Sequence, residues 1–285
     1  MNFHDDKWIL DRVHEHLEEA KEYFPEDRIV GIFLQGSQNY GLDVEGSDID
    51  TKLIVTPSFE DIVLNKKAVS TTHVRENNEH IDWKDVRLYM ETFRKQNLNF
   101  LEILFTDYLW INPLYRSSWN KLVAAREDIA RMNEFRAVKS MKGIAMEKYH
   151  AMEHPYPSKM EILEKYGYDG KQVHHLLRVE EYLERYINGE PYIDCLHPRE
   201  DSAKLLMDLK EFKYDLEEGR ELANDSIRRV TEMADAFCDG KENEENLEMR
   251  KLLETVQYEI IKTSILKEIK EDDMQREMAY LWRLP

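Results

Sequence analysis

Two aspartates and a Gly-Ser pair are the residues of this chain best suited to chemistry. Asp48 and Asp50 are separated by one residue, and ten residues lie between Ser37, in the pair Gly36-Ser37, and Asp48. Alternate residues of an extended strand share a face, so both carboxylates point the same way. Two such charges repel each other unless a cation lies between them, and Mg²⁺ prefers carboxylate oxygens together with substrate phosphates. The spacing therefore predicts a two-metal site next to a phosphate-binding turn.

The flanking residues predict a strand on either side of this turn. Residues 29–34 form an apolar, strand-like segment before Gly36, and residues 53–55 are apolar after the acids. Gly36 would let the backbone approach a triphosphate, while nearby amides and the Ser37 hydroxyl bind its oxygens. The alternatives are an ordinary strand-to-helix turn and an acidic, solvated strand edge. The apolar residues on both sides favour a central strand with metal ligands.

The run from Gly36 to Lys52 resembles the DNA polymerase β nucleotidyltransferase superfamily, in which Asp-x-Asp follows Gly-Ser after some ten residues. The fuller pattern, Gly-Ser-x-x-Tyr-Gly from residue 36 and Ser-Asp-x-Asp-x-Lys from Ser47, is similar to the predicted nucleotidyltransferases associated with RNA repair. That branch often has Arg where this chain has Lys52. The resemblance covers residues 29–115 well, and one motif further along the chain.

The resemblance implies an α+β fold, with a polymerase-β-like nucleotidyltransferase unit built on a short mixed sheet and followed by an all-helical domain. We expect residues 1–115 to form the catalytic domain and residues 116–285 the helical domain. The implied reaction transfers a nucleotidyl group from a nucleoside triphosphate such as ATP to a hydroxyl, with Mg²⁺ or Mn²⁺ as cofactor. An RNA 3′ end is the implied acceptor, and Ser47 is implied to bind the nucleotide.

Superfamily members usually add a third carboxylate from a later strand. Asp82 lies in the strand-like part of the segment 80–85, and we predict that it joins Asp48 and Asp50 as a metal ligand or acts as the general base. Asp85 opens a helical pattern, so a helix-capping role explains it fully. Glu79 is a weaker candidate. Lys52 shares the face of the two aspartates, where it would neutralise them or touch phosphate, or else form a structural ion pair.

A second group of candidates lies in the helical part. Lys171, His175 and Arg178 fall on one stripe of a predicted helix, with Tyr182 continuing it and apolar residues opposite. A solvated face is the common fate of such a stripe. The suspected family, however, carries Lys-x-x-x-His-x-x-Arg in its helical domain, which implies that these three residues bind the nucleotide phosphates. His174 lies on a different face, and we expect a local polar contact.

A further basic row follows a helix predicted earlier in the chain. Arg136, Lys139 and Lys142 recur at three-residue steps, which suits either part of an acceptor patch or, more commonly, a solvated helix face. The formal charge of −18 disfavours nonspecific binding of nucleic acid, so an RNA acceptor would need a local basic patch.

Composition and the remaining residue pattern limit the class of protein further. The 285 residues are 42% hydrophobic and 34% charged, which is typical of a soluble globular protein. No apolar run approaches the roughly 20 residues of a membrane helix, and the first residues do not resemble a secretory signal. We therefore expect a cytoplasmic protein whose two cysteines, Cys195 and Cys238, are free thiols. Helices are predicted at 3–23, 59–65, 85–96, 99–105, 119–153, 171–188, 200–238 and 243–270, strands at 29–35, 51–56, 69–75 and 79–84, and a connector at 156–168.

The sequence therefore predicts a two-metal nucleotidyltransferase and leaves its acceptor, base preference and oligomeric state open. A protein hydroxyl or a small molecule such as an aminoglycoside would need the same three carboxylates. A nucleotide-binding regulatory or antitoxin-like module without catalysis is the alternative from a different class. A third hypothesis is an interaction protein built on the acidic helices.

Overall fold

A mixed five-stranded sheet positions the predicted site. The computed structural model describes the backbone of residues 3–281 and the side chains of residues 3–275. Within that part of the chain, the strand order is β3-β4-β2-β1-β5, with β2 and β4 parallel and the other neighbours antiparallel. The strands are β1 Ile29–Gln35, β2 Asp50–Val55, β3 Ser70–Val74, β4 His80–Asp85 and β5 Leu109–Ile111.

The strand that begins at Asp50 is central, as predicted, whereas Asp48 lies in the segment before it and not on the strand as expected. β2 hydrogen-bonds to β1 on one side and to β4 on the other, and all of its residues after Asp50 are buried. Lys52 lies opposite Phe33 of β1 and opposite Asp82 of β4. The interpretation of a solvated edge strand is therefore wrong. A central strand holds its side chains in a fixed phase, which suits a site that needs defined geometry.

Helices make up most of the remaining chain. They are α1 Asp6–Lys21, α2 Phe59–Val63, α3 Val86–Arg94, α4 Leu98–Leu101, α5 Arg116–Ala124, α6 Arg126–Ala130, α7 Glu134–Ala151, α8 Met160–Tyr166, α9 Gly170–Ile187, α10 Tyr192–Leu196, α11 Glu200–Lys210, α12 Leu216–Cys238 and α13 Leu247–Leu281. Short 3₁₀ helices occur at Glu26–Arg28, Ser37–Tyr40, Glu102–Leu104 and Pro157–Lys159. None of the helices, as far as the structure describes them, is both long and apolar enough to cross a membrane.

Several boundaries differ from the predicted ones. The segment 119–153 holds three helices, the connector 156–168 contains α8, and the helix predicted at 200–238 is two helices. The break between α11 and α12 has a local cause. Phe212 adopts a left-handed φ of 57°, its ring stacks on Tyr166 with centroids 4.0 Å apart, and Asp215 then caps α12 with a capping box. A left-handed residue cannot continue a helix, so the chain must restart.

The apolar core is continuous between the sheet and the helices. One cluster includes Val30 and Phe33 of β1, Leu176 of α9 and Ile260 of α13, and a smaller cluster packs α1 against the other sheet face. α13 returns to the sheet, where Ser264 Oγ lies 2.7 Å from Thr56 Oγ1. Both cysteines are buried free thiols, as expected. The domain boundary at residue 115 stays a prediction, because packing continues across it.

Candidate active-site cleft

A cleft lies between the sheet and helix α9. It consists of two adjoining cavities of about 370 and 260 Å³, and together they are called the cleft below. Both cavities are lined by Gln35, Gly36, Ser37, Asp50, His174 and His175. The fold thus brings the Gly-Ser turn and the first acids next to the helical stripe predicted some 120 residues later in the sequence.

The Gly-Ser turn ends β1 at the floor of the cleft. Gly36 has a φ of 104°, which non-glycine residues rarely adopt. A Cβ there would meet no atom closer than Gln38 Oε1 at 3.7 Å, so the backbone conformation rather than space requires glycine. The 3₁₀ helix Ser37–Tyr40 follows and ends at Gly41, whose φ is 69°. This turn exposes Ser37 to both cavities.

Asp48 and Asp50 have different surroundings. Asp48 is exposed, and within the described residues its carboxylate makes no hydrogen bond or ion pair, although Lys210 interacts with it electrostatically. Asp50 is partly buried, and its Oδ1 accepts hydrogen bonds from the backbone of His80 at 3.0 Å and from His80 Nδ1 at 3.1 Å. The pair therefore offers one carboxylate without a bonded partner among the described residues and one that His80 holds in place.

Asp82 lies in the cleft, but its partner is a lysine. Lys52 Nζ lies 3.5 Å from Asp82 Oδ2, and Thr72 Oγ1 donates to Asp82 Oδ1 at 2.6 Å. Lys52 is 2% exposed, so its ammonium needs an anion nearby. Lys52 thus forms an ion pair with Asp82, and because it also lines the larger cavity, its contact with phosphate stays a prediction.

The three carboxylates do not form a ready metal site. Asp82 lies opposite Lys52, whereas His80 is the β4 residue that contacts Asp50. Across the residues with described side chains, no three His, Cys, Asp or Glu side chains group closely enough to hold an ion. The expected placement of Asp82 beside Asp48 and Asp50 is thus met only in part: Asp50 and Asp82 line the same cavity, and Asp48 lines the adjoining one.

The two competing carboxylates have structural partners. Asp85 caps α3 by accepting from the Arg87 amide at 2.8 Å, as predicted. Glu79 is buried outside the cleft, where His16 Nε2 lies 2.9 Å from its Oε2 and Arg12 also donates to that oxygen. Burial opposes its charge, but these donors outweigh burial and lower the pKa of Glu79. The hypothesis that Glu79 supplies the third carboxylate of the site is therefore wrong, because Glu79 does not line the cleft.

The helical stripe faces the cleft along part of its length. Lys171 lines the smaller cavity, Arg178 the larger one, and His175 both. Burial holds the pKa of His175 well below its usual value, so the ring is neutral at neutral pH. Tyr182 does not continue the stripe as predicted, because it is 2% exposed and packs among other tyrosines. The stripe therefore offers two cations and one neutral hydrogen-bonding ring.

His174 makes the local contact that was predicted. Its Nδ1 donates to the Leu206 carbonyl oxygen at 2.7 Å, and burial lowers its pKa to about 4. The second basic row lies outside the cleft. Arg136 Nε donates to Asn243 Oδ1 at 3.1 Å, and Lys142 Nζ lies 2.7 Å from an Asp235 oxygen. Lys139 also reaches Asp235, at 3.8 Å, so this row forms surface contacts between elements.

The sequence pattern did not reveal several residues that line the cleft. Lys210 of α11 lines the smaller cavity with Lys171, and its Nζ donates to the Leu42 carbonyl oxygen at 2.9 Å. Burial lowers the pKa of Lys210. Lys148 of α7 and the buried Glu102 line the larger cavity. No local spacing relates these residues to the acids, so no sequence signal pointed to them.

The resulting cleft has two walls of opposite charge. The sheet wall carries Asp48, Asp50 and Asp82, together with Lys52, which is paired with Asp82. The helical wall carries Lys171, Arg178, Lys148 and Lys210, and the Gly-Ser turn lies between the two walls. Carboxylates attract metal cations, whereas lysine, arginine and backbone amides attract phosphate. This arrangement can therefore bind a phosphorylated ligand together with a divalent cation.

Comparison with known proteins adds little to this geometry. No protein-family model matches the chain. No curated protein matches it either. Among solved structures, the chain is similar to a nucleotidyltransferase-like protein from Exiguobacterium sibiricum, with 12% identity over 80% of this chain and 75% of that chain and a TM-score of 0.27. A superposition this weak decides neither fold nor function, so both rest on the residues themselves.

Proposed function

We propose that the protein is a metal-dependent nucleotidyltransferase, which transfers a nucleotidyl group from a nucleoside triphosphate to a hydroxyl and releases pyrophosphate. The observation that carries this proposal is the cleft with acids on its sheet wall, cations on its helical wall and the Gly36–Ser37 turn between them. A triphosphate with its divalent cation has the matching arrangement of charge. The larger cavity, of about 370 Å³, also falls within the range of about 300–1,000 Å³ that is usual for small-ligand sites.

The residues present fit Mg²⁺ or Mn²⁺. Mg²⁺ usually binds through one or two carboxylates and completes its shell with water and substrate phosphates, so a preformed cluster of three acids is not required. Asp48, which has no bonded partner in the part of the chain that the structure describes, and Asp50 would hold the ion, and Asp82 would join them after leaving Lys52. When bound, the ion would supply a lowered pKa at the acceptor hydroxyl and charge neutralisation at the departing pyrophosphate.

The remaining residues would bind and orient the triphosphate. The Ser37 hydroxyl and the amides of its turn would bind phosphate oxygens, while Lys171 and Arg178 would donate charge-assisted hydrogen bonds from the opposite wall. His175, neutral because it is buried, would donate one hydrogen bond without adding charge. Ser47 lines the smaller cavity, and its Oγ accepts from the Val44 amide at 2.8 Å, so it would shape the loop that carries Asp48.

An RNA 3′ end in RNA repair is the acceptor that we propose on the resemblance of residues 36–52. The same residues would serve a hydroxyl on a protein or on a small molecule. The formal charge of −18 makes a long nucleic acid a costly ligand unless basic residues gather near its path. Acceptor choice must therefore be measured with all three classes present.

The test is transfer of label from each of the four triphosphates, with Mg²⁺ or Mn²⁺ and a mixed pool of RNA, protein and small-molecule acceptors. Asp48→Asn and Asp50→Asn should abolish transfer while the circular dichroism spectrum stays unchanged. Asp107→Asn is the matched control, because Asp107 is exposed and does not line the cleft. Transfer at the wild-type rate in either cleft variant would overturn the assignment.

One observation favours a second candidate, a nucleotide-binding regulator without catalysis. Lys52 already neutralises Asp82, which leaves two carboxylates instead of three for metal. Calorimetry separates the two functions. A catalyst should bind the triphosphate more tightly with Mg²⁺ than with EDTA and should turn it over. A regulator should bind without turnover, and it should bind equally well after Asp48→Asn.

A further inference from the structure

A buried glutamate lies beneath the cleft, and no role in the reaction proposed above requires it. Glu102 begins the 3₁₀ helix that follows α4, is 4% exposed, and lines the larger cavity. A buried carboxylate is costly unless hydrogen bonds and opposite charges compensate it. The groups that contact the Glu102 carboxylate therefore indicate its role in the structure.

Those partners come from both walls of the cleft. The Tyr40 hydroxyl donates to Glu102 Oε2, and the backbone of Gly36 favours the charged form of the carboxylate. Lys52 of β2 and Arg178 of α9 act on it electrostatically. The Glu102 carboxylate thus interacts with the Gly-Ser turn, with strand β2 and with helix α9.

A stacked pair extends this contact to α9. The guanidinium carbon of Arg178 lies 3.5 Å from the centre of the Tyr40 ring, a cation–π contact, and Arg178 Nε is buried without a hydrogen-bond partner among the described residues. Glu102 holds the Tyr40 hydroxyl, and Tyr40 holds the Arg178 plane. The Glu102 carboxylate thereby fixes the position of Arg178 without touching any group that would react.

We propose that Glu102 is a positioning residue, which holds the Gly36–Ser37 turn and, through Tyr40, Arg178 in the arrangement that binds a triphosphate. This inference rests on the proposed function for the identity of the ligand. It assigns Glu102 to neither metal binding nor proton transfer. Burial raises the pKa of this carboxyl, while Lys52, Tyr40 and Arg178 oppose the rise, so its neighbours favour the charged form.

The perturbation that tests it is Glu102→Gln. Glutamine keeps the size of the side chain but removes its charge and replaces one acceptor oxygen by an NH2 donor, so the strong hydrogen bond from Tyr40 and the attraction for Arg178 are weakened. Tyr40→Phe removes the same hydrogen bond without changing charge. Glu127→Gln is the matched control, because Glu127 likewise accepts from two donors, the amides of Tyr192 and Ile193, but does not line the cleft.

Titration calorimetry with a non-hydrolysable triphosphate is the first measurement. Glu102→Gln and Tyr40→Phe should each weaken binding about tenfold, the effect of losing one hydrogen bond to a charged group, and their effects should not add in the double variant. Glu127→Gln should bind as the wild type does. If Glu102 acted only through its charge, Glu102→Gln would remove an anion next to the phosphates and tighten binding. Unchanged or tighter binding in Glu102→Gln overturns the proposal.

Hydrogen–deuterium exchange without nucleotide is the second measurement. Amides of the segment 36–42 should exchange faster in Glu102→Gln and Tyr40→Phe than in the wild type or in Glu127→Gln. Failure of the wild type to bind any triphosphate would refute the proposed function. In that case exchange still decides this proposal, since unchanged exchange in both variants would show that Glu102 does not hold the turn.

Discussion

Replacing Asp85 by alanine should destabilise the protein while leaving its chemistry intact. The Asp85 carboxylate is buried and accepts three hydrogen bonds from Arg87, from its amide at 2.8 Å, its Nε at 2.9 Å and its Nη2 at 2.7 Å. Loss of the helix cap costs about 1 kcal/mol. Loss of hydrogen bonds to a charged group costs about 1.5–3 kcal/mol more, and the 30% exposure of the Arg87 side chain lets water recover part of it. The expected loss in unfolding free energy is about 2–4 kcal/mol.

Thermal melting measures this loss directly. With an unfolding entropy of about 2.1 cal/mol/K per residue, 2–4 kcal/mol lowers the Tm of a chain of this length by about 3–7 °C. Transfer activity per folded molecule, assayed well below the new Tm, should equal that of the wild type. The cap lies at the start of α3, and Asp85 does not line the cleft.

The matched variant is Asp82→Asn. An asparagine oxygen can still accept from Thr72, but the buried Lys52 loses its anionic partner, so we expect a lower Tm together with a loss of transfer; the 30% exposure of the Asp82 side chain lets water offset part of the fall in Tm. Alanine is less suitable, because it would remove the acceptor for Thr72 as well as the charge that faces Lys52. An unchanged Tm with lost activity in Asp85→Ala, together with full activity in Asp82→Asn, would refute this assignment of roles.

Three further changes test the turn, the stripe and the buried histidine. Arg178→Ala should weaken triphosphate binding by about 1.5–3 kcal/mol in calorimetry, and wild-type binding should fall with added salt; equal affinity in Arg178→Ala and in the exposed control Arg228→Ala would contradict this. Gly36→Ala should lower the unfolding free energy, measured by urea denaturation, by about 1–3 kcal/mol, because a side chain strains a backbone with a φ of 104°. An unfolding free energy equal to that of the wild type would contradict this prediction. Burial lowers the pKa of His174 to about 4 in the folded state, against an ordinary value of 6.5. Between these two pH values the folded state binds fewer protons than the unfolded state, so the unfolding free energy should fall as the pH drops from 6.5 to about 4. His174→Asn should flatten this slope, and an unchanged slope would assign it to other groups.

The strands that build the site could be predicted because local chemistry ends them. β1 runs from Ile29 to Gln35 as predicted, since an apolar, partly β-branched segment meets Gly36, whose positive φ stops the strand. The cap of α3 was predictable for the same reason, because Asp85 satisfies an amide two residues away. Such signals act within a few residues, so one sequence is enough to find them.

Other features depend on partners far along the chain. β5 has three residues, Leu109–Ile111, which form a strand because β1 supplies their hydrogen bonds. Lys210 enters the cleft through a hydrogen bond to the carbonyl of Leu42, 168 residues earlier. Glu102 is a buried acid whose partners, Tyr40 and Arg178, lie far from it in the sequence, and the periods of helices and strands do not reveal such contacts. Tertiary packing decides all three.

The role of Asp82 shows where strand periodicity stops being informative. Periodicity predicts that Asp48, Asp50 and Lys52 share a face. In the structure β2 begins at Asp50, so only Asp50 and Lys52 lie on that face, next to Asp82 on the same face of β4. Periodicity does not determine which residues lie opposite each other, because a shift of two residues between the strands keeps every side chain on its face. In the observed register Asp82 lies opposite Lys52, and a shift of two residues would place it opposite Asp50. A shift of two residues in register therefore decides whether Asp82 lies opposite Lys52 or opposite Asp50. In the observed register, Asp82 must exchange Lys52 for a metal cation if it serves in catalysis. The Asp82→Asn variant tests that exchange.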